Sequence, residues 1–187
     1  MRVVVALEPV VGPPSRVSQR AAGERAAASA LRRLDPLAPL GAVVRAPSGR
    51  PSFADSRHRL SVSHSGSMAV AACATEAVGV DVERVRHLRG LTALATRTLS
   101  PPAAARVDAA EPAVRPIVFL AEWTALEALC KAHGATMASF LGREVAPPWR
   151  VHHFELPGPY LVAVVADRPV CLDLVWIPEA GQMEAAR

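Results

Sequence analysis

The chain has 187 residues and a mass of 19.7 kDa, with 51% hydrophobic and 20% charged residues; this describes a globular protein with one ample core or two small lobes sharing one, and no apolar run approaches the roughly 18 residues needed to span a bilayer. A formal charge of +4 and a pI near 9.6 point to an anionic partner, of which nucleic acid fits least, because aromatics are only 4% and no recognised binding motif is present. Cys73, Cys130 and Cys171 are odd in number, widely spaced and without a CxxC pair, so neither a disulfide framework nor a structural zinc site is supported, and a reducing cytoplasm fits best.

Residues 1–7 read as a first strand rather than a leader, because the apolar run stops at Glu8 and no small-residue cleavage site follows. Gly12-Pro13-Pro14 is a turn, and Ser15 is placed to cap a helix from about Arg16 to Leu34. Ala27, Ala28, Leu31 and Leu34 give that helix an apolar stripe, while Arg16, Arg20, Arg25, Arg32 and Arg33 make the remainder basic, which suits a solvated face as well as a phosphate contact. Asp35-Pro36 ends it. A short strand at Val43-Val44 and a turn over 48–53, with Arg50 at its tip and Ser48 at its start, precede Leu60-Ser61-Val62-Ser63-His64-Ser65-Gly66. The latter reads as a strand entering a polar turn, with residues 68–73 as its antiparallel return. Such a turn offers hydroxyls, an imidazole and glycine-permitted amides to an anion. A Ser/His hydrolase is disfavoured, since there is no GxSxG elbow and neighbours in a strand point opposite ways.

In Val78-Gly79-Val80-Asp81-Val82-Glu83 the valines share one face of a strand and the two carboxylates the other. This is either a half-buried strand with a solvated acidic face or an oxygen-only site of the kind magnesium prefers. Residues 88–99 are weakly helical, and Ser100-Pro101-Pro102 starts a short helix that finishes near Ala110. The segment 88–115 carries no visible chemistry and is expected to be a connector and a partner-docking surface. A long helix follows from near Pro116 to Gly134, with Trp123, Glu127 and Lys131 near one face and Phe119, Leu120, Leu126, Leu129 and Cys130 on the apolar side. Glu127 and Lys131 make either a surface ion pair or a metal ligand beside a phosphate contact. Runs at 151–154, 160–166 and 170–176 read as an antiparallel meander in which His152 and His153 are strand residues, and the chain is expected to fray after Ile177. The helix-then-strands order of both halves predicts an α+β fold with two similar lobes, 1–87 and 116–187.

Four of these motifs, in this order and spacing, resemble the 4′-phosphopantetheinyl transferase superfamily, especially its monomeric Sfp type. Gly49-Arg50-Pro51 with Phe53 is similar to the family's Gly-Lys/Arg-Pro element, and Ser61-Val62-Ser63-His64-Ser65-Gly66 to its Asn-hydrophobic-Ser-His-Ser-Gly. Residues 78–83 resemble its hydrophobic-Gly-hydrophobic-Asp-hydrophobic-Glu, and Phe119, Trp123, Glu127, Ala128, Lys131 and Gly134 its long-helix motif. Ser61 replaces the usual asparagine, and Leu126 stands where the family commonly has lysine, which would remove a positive charge from near the diphosphate.

The resemblance implies a pseudo-dimer of two α+β lobes with the active site in the cleft between them. It implies Mg2+-dependent transfer of the phosphopantetheine arm of coenzyme A to a serine of an apo acyl or peptidyl carrier protein, by a monomer without a membrane partner. Asp81, Glu83 and Glu127 would hold the metal, with Glu127, or a water polarised by Glu83, as base. Lys131 would contact the diphosphate; Arg50, Ser63 and His64 would bind coenzyme A phosphates, and Arg20 or Arg25 would reach the 3′-phosphate. The alternatives are a non-catalytic coenzyme A or carrier-binding module of the same fold, and an unrelated magnesium phosphohydrolase.

Overall fold

The computed structural model describes residues 1–39, 43–46, 49–54 and 57–178. Ser48 of the expected Gly-Arg-Pro turn lies outside these, as does the end of the chain from 179 that was expected to fray. β1 (Arg2–Pro9) is buried along six consecutive residues and so needs cover on both faces. α1 (Arg16–Leu34) begins at Ser15, whose hydroxyl caps the Ser18 amide while Ser18 reciprocates as a capping box. Its buried stripe is Ala22, Gly23, Ala26, Ala27, Ala30 and Leu31, so Ala28 and Leu34 lie beside the stripe rather than in it. Small residues let the helix sit close to the sheet; at Gly23 an added Cβ would press on Val62.

β2 (Val43–Arg45) pairs with β3 (Pro51–Phe53), and β4 (Arg59–Ser65) turns through Gly66 (φ +54°) into β5 (Met68–Ala74). β6 is Val78–Arg84, followed by α2 (Leu91–Thr98), α3 (Pro101–Ala109, capped by Ser100) and α4 (Arg115–His133). β7 (Arg150–Leu156), β8 (Tyr160–Ala166) and β9 (Cys171–Trp176) complete the fold. The chain is thus a mixed α+β protein. Among the described residues no helix is long and apolar enough to cross a membrane.

Two larger sheets carry it, in the orders β4-β5-β1-β9 and β6-β8-β7. β7 and β8 form the expected hairpin, but β9 leaves them and pairs parallel with β1, so the terminal strands are not a continuous meander. The reason lies in β1: with both faces buried, its open edge also has to be paired, and β9 supplies one face to each layer. Leu172 joins the core between the sheets, Val175 joins the α1 layer, and Asp173 takes both Arg2 and Arg33. Likewise β6 joins the sheet of β8 and β7. α2 and α3 bury Leu91, Ala95, Leu99, Ala103 and Val107 in the same core as Phe119 and Leu129 of α4.

α4 lies on β6 at Gly79, where a Cβ would run into the carbonyl oxygen of Ala128. Only glycine permits that approach. Gly79→Ala is therefore expected to push α4 off the strand and cost about 1–3 kcal/mol, the range for forced overpacking. Urea denaturation would show it as a lower midpoint at unchanged slope; an unchanged midpoint would mean the contact does not set the helix position.

Candidate active site

Val78, Val80 and Val82 face the core between the sheets, as their alternation requires, and Asp81 and Glu83 share the opposite face. That face is not a solvated edge. α4 covers it through the Gly79 contact, and Asp81 is only 1% exposed.

A buried carboxylate needs compensation. Asp81 Oδ1 accepts from the Ser63 hydroxyl and from the Lys131 ammonium, both at 2.6 Å, and Lys131 also reaches the Val80 carbonyl oxygen at 3.3 Å. Lys131 is thus paired with the strand, not with its helical neighbour Glu127. Asp81 Oδ2 is buried without a hydrogen-bond partner. Glu83 accepts at Oε2 from Ser65 (2.8 Å) and from Arg86 (3.0 Å).

Glu127 lies one turn before Lys131, close enough to hydrogen-bond the Asp81 carboxyl when one of the two carries a proton. Burial, followed by the charge of Asp81, pushes its pKa up to about 8, with Lys131 opposing and Glu83 adding to the rise. Two carboxylates meet here with less positive charge than they need. Among the described residues no group of three or more His, Cys, Asp or Glu side chains is gathered as a ready metal site. The donor set nevertheless fits a hard cation: the orphaned Asp81 Oδ2 and the carboxyl of Glu127 are oxygen ligands, and only a proton or a cation between them relieves their repulsion.

Two clefts open from this cluster. One, of about 310 Å³, is lined by Gly49, Arg50, Pro51, Leu60, Ser61 and Lys131 among others, with no acidic residue in its wall. Arg50 lies over Gly134, where φ is +66° and a Cβ would collide with the guanidinium. Gly134 therefore serves two needs, ending α4 in a left-handed cap and seating a cation beside Lys131. The other cleft, of about 290 Å³, is lined by Glu83, Arg86, Leu88, Leu94, Trp123 and Glu127. Glu127 and Lys131 thus stand one helical turn apart, one at a cationic cleft and the other at a largely apolar groove.

Of the candidate residues, Asp81, Glu83, Glu127, Lys131, Ser63 and Arg50 come together here. Arg20 and Arg25 do not line either cleft: Arg20 pairs with Glu24, and Arg25 with the buried Glu8. His64 is exposed and, as a strand neighbour of Ser63, points the other way. His152 and His153 lie in β7, with His153 Nε2 donating to the Ala121 carbonyl oxygen. Leu126 is buried in the α2–α3–α4 core, on the apolar side of the helix. Ser65 was not singled out from sequence, although serine at every second position of β4 was the available signal.

A family model described as the 4′-phosphopantetheinyl transferase superfamily (ACPS) matches residues 77–172, just over half of the chain and a span that contains β6 and α4. No curated protein matches the chain.

The raised pKa of Glu127 has a measurable sign. The folded chain without metal keeps a proton that the unfolded chain releases near 4.5, so this contribution to stability is full below 4.5 and is lost as pH rises through about 8. Thermal melts of the metal-free protein across that interval should fall with pH, and Glu127→Gln, neutral throughout, should flatten the fall. An equally steep fall in that variant would assign the proton elsewhere.

Proposed function

The chain belongs to the 4′-phosphopantetheinyl transferase superfamily, and we propose that it is an Sfp-type, Mg2+-dependent enzyme that moves the 4′-phosphopantetheine arm of coenzyme A to a serine of an apo acyl or peptidyl carrier protein. The observation that carries this reading is the seam of β6 and α4: within the matched span, the buried Asp81 and the half-buried Glu127 and Lys131 form one cluster between a cationic cleft and an apolar groove.

In this reaction the serine oxygen forms a bond to the phosphorus that bears pantetheine. The bond from that phosphorus to the bridging oxygen breaks, and 3′,5′-ADP leaves. Such a transfer depends on alignment and on neutralising charge more than on covalent help. Arg50 and Lys131 supply positive charge to the diphosphate in the cleft they line. Lys131 makes that contact by giving up one of its bonds to β6. Asp81 and Glu127, with Glu83 directly or through water, would hold magnesium, which when bound supplies Lewis acidity and a template on the diphosphate oxygens.

Once its repulsion with Asp81 is relieved, the Glu127 carboxylate can accept the proton of the incoming serine, or a water held by Glu83 relays it. The groove of Leu88, Leu94 and Trp123 lies beside that carboxylate and would receive the carrier's serine. The two halves would act as a pseudo-dimer that exchanges β6 and β9, with the site where the two sheets meet. The basic balance of the chain, +4 overall, suits both a polyanionic co-substrate and an acidic carrier.

Intact-mass measurement of an apo carrier incubated with this protein, coenzyme A and Mg2+ tests the reading. A gain of one phosphopantetheine unit, absent without metal, is expected. Asp81→Ala or Glu127→Ala should abolish it while the protein stays folded. No gain on fatty-acid, polyketide or peptidyl carriers, with coenzyme A still bound, would replace the transferase with a binding module of the same fold.

A further inference from the structure

β4 carries serine at positions 61, 63 and 65, and all three hydroxyls are used on β6. Ser61 Oγ accepts the Val80 amide at 2.9 Å, and Ser65 Oγ accepts the Arg84 amide at 3.1 Å. Ser63 donates to Asp81 Oδ1 at 2.6 Å and Ser65 to Glu83 Oε2 at 2.8 Å. β4 and β6 are edge strands of different sheets, so no backbone ladder joins them and side chains must satisfy the facing groups. For that purpose acceptors alone would do. Ser63 and Ser65 go further by giving their protons to carboxylates, fixing one oxygen of each acid.

With Oδ1 held from two sides, by Ser63 and Lys131, Asp81 cannot turn its buried Oδ2 toward a protein donor without breaking both bonds. The orphaned oxygen is thus a joint product of the serine and lysine contacts. We propose that Ser63 and Ser65 are positioning residues, whose hydroxyls hold the Asp81 and Glu83 carboxylates in the orientation that receives a divalent cation. This inference rests on the metal-assisted reading of the site. It also gives Ser61 a place: it closes the first rung of the same seam through the Val80 amide.

Mn2+ binding by the full chain alone, without coenzyme A or carrier, supplies the test, followed by the electron paramagnetic resonance signal of the free ion. Ser63→Ala and Ser65→Ala should each weaken binding about tenfold, as loss of an outer-shell partner does, with circular dichroism unchanged. Ser65→Thr keeps the hydroxyl on a strand-compatible side chain and should restore binding. Because Ser65 is only half-buried, its pair of variants carries the test should Ser63→Ala fail to fold. Alanine variants that bind Mn2+ like the unsubstituted chain, or a threonine variant as weak as alanine, would overturn the assignment while leaving the transferase reading intact. An unsubstituted chain that binds no Mn2+ would overturn the assignment together with the metal-assisted reading. Serine-dependent Mn2+ binding in a chain that modifies no carrier would uphold the assignment and sink the transferase.

Discussion

The contact of α4 with β6 at Gly79 is the constraint on which the site depends. Without a Cβ at that position the helix backbone reaches the strand, and Glu127 and Lys131 come down on Asp81. That closeness makes the acid costly. A buried aspartate left ionised and unpaired costs several kcal/mol, so Ser63 and Lys131 both serve one of its oxygens, while the other is buried without a hydrogen-bond partner. Lys131 offsets the charge of the resting site and is also the residue best placed to meet an anion at the cleft.

The exchange of strands between the two sheets follows from the same economy of surface. β1 is apolar on both faces and takes β5 on one edge and the distant β9 on the other, so the end of the chain closes the first sheet. β6, in turn, joins β8, and its free edge faces the serines of β4. The charged cluster therefore lies where the two sheets meet. Residues from β4, β6 and α4 reach it, and none of these elements builds it alone.

Much of this was legible in the residues. The period of two in 78–83 put the valines and the acids on opposite faces, Ser15 and Ser100 marked helix starts, and Gly134 marked the end of α4. What was not legible depended on contacts between distant segments. The acidic face is covered rather than solvated because Gly79 meets Ala128, a packing event that spacing within one strand does not reveal. The basic helix α1 offered Arg20 and Arg25 as phosphate ligands, but Glu24 takes one and the buried Glu8, distant in sequence, takes the other. Leu126, by contrast, was legible: its place on the apolar side of the helix puts it with Leu129 in the core.

The proposed transfer stands on Asp81 and Glu127 together holding a cation on the diphosphate. Anomalous diffraction from crystals grown with Mn2+ and coenzyme A tests it most directly. A manganese peak between the Asp81 and Glu127 carboxylates is expected, with Lys131 moved from Asp81 toward the diphosphate. A peak elsewhere, or a diphosphate bound with Lys131 still on Asp81 and no metal between the acids, would contradict it.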